Sequence, residues 1–251
     1  MPSAAGVGAY GNNRKWLWSL VSTETGCSMP RMKHRVAMSG DLVHSRGTQD
    51  RRDVPTRLGR AMAHLSERFA SVLLAPPVMT RGIDEFSAVF RAPGEVFDFT
   101  VALNEQIWPL RFRVGVGVGA IDVAERSRNA ARMDGPAFHR AAAALTRARD
   151  TETTFAIEAP DAAESDIRAI EALALAHATI ADSWTPAVAR IVVALRRWPT
   201  GSAAARELGI TQQAVSRARR RASLAVLQVV ERATADLMAS RVQLVGAEGG
   251  R

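Results

Sequence analysis

The chain has 251 residues, 47% of them hydrophobic and 23% charged, with a formal net charge of +8. That length suffices for a real core and for two domains, and the balance is that of a soluble globular protein, which excludes a disordered chain. The lone Cys27 excludes an intramolecular disulfide and a cysteine metal cluster, and no apolar run approaches a membrane span, so a cytoplasmic protein without a membrane partner is expected.

In chain order, residues 1–31 carry glycines and asparagines without a lasting apolar period. They read as a disordered or mis-called leader, and Trp16–Val21 is too short for a signal peptide. The fold is expected to begin near Lys33. Val36–Ser39 predicts a short strand running into Gly40-Asp41. Residues 52–72 have helical spacing, with Leu58, Met62, Leu65, Phe69 and Val72 on one face. Pro77–Thr80 and Glu85–Phe90 predict two strands around a turn at Gly82, and Pro93–Ile107 a helix. Leu110–Ile121 predicts a strand, with Val114, Val116 and Val118 alternating with Gly115, Gly117 and Gly119. Period-two glycines of this kind permit close packing by a helix or a ligand. A helix over Gly135–Arg149 and a strand over Thr153–Ile157 complete the order β-α-β-β-α-β-α-β, which contains a ferredoxin-like unit with an appended helix and strand.

Beyond Pro160 the pattern is all-helical: Ala162–Ala178, a break and cap at Asp182–Pro186, Ala187–Trp198, and a last helix over Ser223–Ser240. The expected organisation is a leader (1–31), an α+β domain (32–160), a helical domain (161–240) and a flexible tail (241–251). Charge follows this division. Residues 186–251 hold eleven arginines against four acids (+7), residues 32–185 nineteen bases against twenty acids (−1), and the leader supplies +2. Thirty-one of the thirty-three basic residues are arginine, a bias shared with alanine that weakens inference from any single arginine.

Within the basic segment, Ser202–Ala222 predicts a helix, a tight turn and a second helix. Ala205 is small where two helices cross, Gly209 tolerates φ > 0 in the turn, and Val215 locks the pair. The pattern resembles the helix-turn-helix of bacterial transcription regulators and of sigma-factor promoter-recognition domains. The resemblance implies double-stranded DNA as partner, with Thr211 capping the second helix. Gln212, Gln213, Ser216 and Arg217 would approach bases, and Arg219, Arg220 and Arg221 would mainly contact phosphates, with one of the three able to face the core. A homodimer is expected, because a single helix-turn-helix gains affinity by pairing. A plain basic helical hairpin is the competing structural reading.

Three islands mark the first domain: Ser39–Arg46 (SGDLVHSR), Arg81–Phe86 (RGIDEF), and Arg113–Gly119 (RVGVGVG) followed by Asp134–Arg140 (DGPAFHR). Together they are similar to the SatD family of bacterial proteins, over roughly residues 32–232. They also distantly resemble the class III nucleotidyl cyclase and GGDEF palm domain. The implied fold is α+β, a ferredoxin-like or palm-type antiparallel sheet with helices on one face, followed by an all-α helix-turn-helix domain.

The palm resemblance implies a divalent ion, Mg²⁺ or Mn²⁺, held by Asp41 and by Asp84 or Glu85, and a nucleotide ligand. Ser45, Arg46, Asp134, His139 and Arg140 are the accompanying ligand-binding candidates. The SatD family's common hairpin is GDEF, split here by Ile83, a departure that bears on the turn geometry. Against catalysis weighs that the cyclase asparagine and arginine positions are His139 and Ala143. Losing that arginine removes charge stabilisation from the transition state. The expectation is therefore a DNA-binding regulator whose palm-like domain senses a ligand or mediates assembly. The alternative is a divalent-metal-dependent nucleotidyl cyclase or transferase-like enzyme. His34, His44, His64, His139 and His177 show no metal-ligand spacing.

Overall fold

The computed structural model describes residues 34–43, 53–81, 84–198 and 200–244. The leader, Ser45, Arg46, the turn at Gly82 and most of the expected tail lie outside the described residues. A five-stranded mixed sheet has the order β2-β3-β1-β4-β5, where β1 is Arg35–Val43, β2 Leu73–Arg81, β3 Glu85–Phe90, β4 Arg111–Gly119 and β5 Phe155–Glu158. The first four strands pair antiparallel, and β5 joins β4 in parallel. The expected first strand ended at Ser39, but the ladder continues to Val43, which pairs with Arg111. Asp41 is therefore a strand residue with a neighbour on each side.

Alternation along β1 sorts its side chains between two faces. Val36, Met38 and Leu42 enter the main core, beneath α1 (Val54–Arg68) and α2 (Val96–Ile107). Leu58 and Leu65 of α1 and Phe99 and Leu103 of α2 meet them there. Phe99 stands edge-on to Phe69 and Phe90, with ring centroids 5.3 and 5.2 Å apart.

Ala37 belongs instead to a second cluster with Val89, Ala137 and Ala141, under α3 (Pro136–Asp150). Helices thus cover both faces of the sheet, correcting the expectation of one. The reason is steric. A Cβ on Gly115 would lie 2.2 Å from the Ala141 carbonyl oxygen, and one on Gly117 would lie 2.2 Å from the Ala137 carbonyl oxygen. The alternating glycines of β4 let α3 rest directly on strand backbone, so the occupant of that gap is a helix.

The chain then runs through α4 (Glu164–Asp182), α5 (Pro186–Arg197), α6 (Gly201–Leu208), α7 (Gln212–Arg221) and α8 (Leu224–Arg241). Thr185 caps α5 by accepting the Val188 N–H, as the break at 182–186 predicts. Ile170 and Ala174 of α4, with Met238 of α8 and Val242 beyond it, lie in the same core as α1, α2 and the sheet. The passage from α+β to all-α at Pro160 therefore crosses no gap in the core, and the described residues form one unit. No helix of the described residues is long and apolar enough to cross a membrane.

Candidate functional site

The acidic islands meet in the sheet. Asp41 on β1 is the cross-strand partner of Glu85 on β3 and of Arg113 on β4, while Gly40 is the partner of Phe86. A Cβ on Gly40 would lie 2.0 Å from the Phe86 ring, so the ring covers the strand where a side chain would stand. Asp84 belongs to the turn before β3, and its carbonyl accepts the Leu42 N–H at 2.7 Å. From the far end of α3, Arg149 donates Nε to Asp41 Oδ2 at 3.0 Å and Nη2 to Glu85 Oε1 at 3.4 Å. The Asp41 bond raises the Arg149 pKa above its usual value.

That donor set does not fit a divalent ion. A guanidinium lies against both carboxylates, and no group of three or more His, Cys, Asp or Glu with metal-binding geometry occurs among the described residues. Beside the acids, Ser39, Thr80, Ser87 and Thr146 line an open groove of about 350 Å³ between α3 and the strands.

The remaining ligand candidates sit elsewhere. Asp134, His139 and Arg140 cluster at the start of α3, and ten residues of helix, about 15 Å, separate His139 from Arg149. His139 Nε2 lies 3.3 Å from Asp134 Oδ1 with both side chains exposed, and the same oxygen accepts the Gly135 N–H at 2.7 Å. Arg140 donates to the Val118 carbonyl at 2.6 Å, finishing β4. Gly135 has φ +143°, and a Cβ there would lie 2.8 Å from the Asp122 nitrogen. Much of the three-island pattern thus encodes how α3, β1, β3 and β4 pack.

The basic segment builds a different surface. The α6 helix ends at Gly209, φ +65°, with Ile210 N–H bonded to the Ala205 carbonyl at 3.0 Å, a Schellman-type closure. Thr211 accepts the Ala214 N–H at 3.2 Å and starts α7. Ala205, Val215 and Ala218 pack with Ile191 of α5, the small and β-branched residues standing where close crossing requires them. Gln212, Gln213, Ser216, Arg217, Arg219, Arg220 and Arg221 are all exposed, so none of the three final arginines enters the core. At 100° per residue, Gln213, Ser216, Arg217 and Arg220 oppose the buried stripe, and Gln212, Arg219 and Arg221 flank them. Arg220 also reaches Ser216 Oγ at 3.3 Å.

Some arginines are neutralised by acids within the fold and others are not. Arg35, Arg111, Arg147, Arg149 and Arg196 each contact an acid. Among the described residues, no acid lies within ion-pair distance of Arg217, Arg219, Arg220 or Arg221.

A buried network escaped the sequence reading. Arg196 on α5 contacts Glu105 of α2 (Nη2 to Oε1, 2.9 Å) and Glu231 of α8 (Nη1 to Oε2, 2.9 Å), and Glu231 also bonds His177 of α4 at 3.0 Å. Burial raises the Glu105 pKa despite the arginine. Burial also opposes charge on Glu231, but His177 and Arg196 outweigh it and lower that pKa. Burial disfavours the Arg196 cation as well, yet the two carboxylates hold its pKa above normal. One signal was available: Glu231 and Thr234 interrupt the stripe Leu224, Leu227, Met238 on the buried side of α8.

The SatD family model matches residues 35–198. The chain belongs to the SatD family. This SatD segment spans the sheet, the three helices on its faces, α4 and α5, whereas α6, α7 and α8 lie beyond it. No curated protein matches the chain.

Proposed function

We propose that this SatD-family chain is a DNA-binding transcriptional regulator, with α6 and α7 as its helix-turn-helix. The observation that carries the reading is the row of exposed α7 arginines without acid partners, on a helix fixed from behind by Ala205, Val215 and Ala218. Exposed cations gathered on one short helix with no acid in reach are available to phosphates. Gln213, Ser216 and Arg217 approach base edges in the major groove; Arg219, Arg220 and Arg221 contact the backbone. Dimerisation would set two such helices on adjacent half-sites.

The sheet is read as palm-like. Its β4-β1-β3-β2 antiparallel order, with α1 and α2 on one face, is ferredoxin-like, and α3 with β5 extends it. Its role is ligand sensing or assembly. The cyclase-like alternative lacks comparable support, because Arg149 bridges the acids that would hold its metal.

Fluorescence anisotropy with labelled genomic fragments tests the proposal. Binding is expected to weaken steeply with salt. Arg217→Ala, Arg219→Ala and Arg220→Ala should reduce the log–log salt slope by about 1 for each phosphate no longer neutralised. No binding at low salt, or binding indifferent to the triple substitution, overturns it.

A further inference from the structure

Strand alternation gives the groove beside α3 a floor of hydroxyls. Ala37 and Val89 lie under α3, and two residues along each strand, on the same face, stand Ser39 and its cross-strand partner Ser87. Because α3 rests on β4 through Gly115 and Gly117, β3 and β2 lie beside it, and about 350 Å³ opens between them. That volume suits a small molecule. Ser87 is only 8% exposed, yet its hydroxyl makes no hydrogen bond among the described residues. The Ser39 and Thr80 hydroxyls, which line the same space, likewise make none there. Thr146 donates to the Ala142 carbonyl from α3 and keeps its acceptor lone pairs. Buried polar groups are normally paired, so a polar guest is favoured over Ser87.

The charges at one end of the groove narrow the guest. Arg149 and Glu85 line it, and Asp41 stands across from Glu85. Arg149 bridges both carboxylates and Arg113 lies 4.0 Å from Asp41, so two acids face two guanidiniums. An anion or a cation would have to break that set, whereas a neutral molecule leaves it whole. Hydroxyls on a neutral guest can donate to and accept from Ser39, Ser87 and Thr80. They can also accept from Arg149 Nη1, since the bridge uses only Nε and Nη2. Ala142 and Leu145 of α3 offer an apolar wall to the C–H face of a ring. We propose that this groove binds a monosaccharide, its hydroxyls on Ser39, Ser87, Thr80 and Arg149 and one ring face against α3. The site deepens the ligand-sensing part of the proposed function and rests on that reading for its biological use, whereas binding itself needs no DNA.

The test is calorimetric titration of the full chain with D-glucose, D-galactose, D-mannose and D-ribose. Cyclohexanol serves as the ring without the polyol, and glycine as a zwitterion. Saturable binding of at least one sugar at millimolar concentration or below is expected, at least tenfold tighter than either comparison. Ser87→Ala, which removes only the buried hydroxyl, should weaken binding about tenfold, the scale of one hydrogen bond. Ala142→Phe, at an exposed position of α3, fills the groove and should abolish binding, with thermal melting confirming that both variants fold. Absence of saturable binding by all the sugars, equal affinity for cyclohexanol or glycine, or wild-type binding in either folded variant overturns the site. Each of these outcomes is read without DNA, so it is distinguishable from failure of the DNA-binding proposal.

Discussion

Arg196 is the residue on which the junction between the sheet layer and the helices turns. Its guanidinium bonds two carboxylates whose side chains are only 6% and 11% exposed, Glu105 and Glu231. Removing one partner of such a set leaves charge buried without compensation, so Arg196→Met is expected to destabilise by about 3–5 kcal/mol in urea unfolding. The loss should depend on pH in a definite sense. Without the arginine, the Glu105 pKa rises further above its unfolded value of 4.5. An acid with a raised folded pKa binds more protons folded than unfolded, so its penalty is full above the folded pKa and fades as pH falls toward 4.5. The variant should therefore lie closer to wild type at pH 5 than at pH 8. An equal deficit at both would show that Glu105 does not carry the cost.

At the scale of elements, glycine has opposite meanings at two positions. Gly117→Ala would drive a methyl group into the Ala137 carbonyl and the Ala141 nitrogen, both 2.2 Å away, and α3 would have to leave the sheet. A destabilisation of at least about 3 kcal/mol is expected, because the obstacle is backbone. Gly59, inside α1, has nothing within 4 Å of its would-be Cβ. Gly59→Ala should therefore stabilise by about 0.5–1 kcal/mol, through helix propensity alone. Thermal melting of the two variants against wild type measures both effects; shifts in the same direction would refute this packing account of α3. The period-two glycines of β4 were legible as a site of close approach, but whether a helix or a ligand approached was not.

For the molecule as a whole, the decisive element is the last one. The α8 helix begins beside Trp184, whose Nε1 bonds the Ala222 carbonyl at 3.3 Å, and ends with Met238 and Val242 inside the core of the sheet layer. Composition divides the chain near residue 160, yet its packing does not. A chain ending at Ser223 should consequently fail to give a cooperative unfolding transition, although it retains every strand and all of α7. Circular dichroism during thermal unfolding checks this; a truncated chain that melts cooperatively at the wild-type temperature would refute the shared core.

Elements with a clear period or a covalent constraint were legible in the sequence. The α7 helix and its cap follow from Thr211, Gly209 and the spacing of Val215 and Ala218, and β3 from its run of six residues, because these depend on neighbours within a few positions. The length of β1 depended on partners in β3 and β4, which continue its ladder past Ser39. The candidate site divides in the same way. The sequence left one of Arg219, Arg220 and Arg221 free to face the core, and the fold exposes all three, while the union of Asp41, Glu85 and Arg149 joins residues 64 and 108 positions apart. Sequence by itself determined the local elements and the charge they carry, since backbone sterics and side-chain period act over one or two turns. Tertiary structure alone decided which charges are neutralised and which are left for a partner, because pairing is set by distance in space.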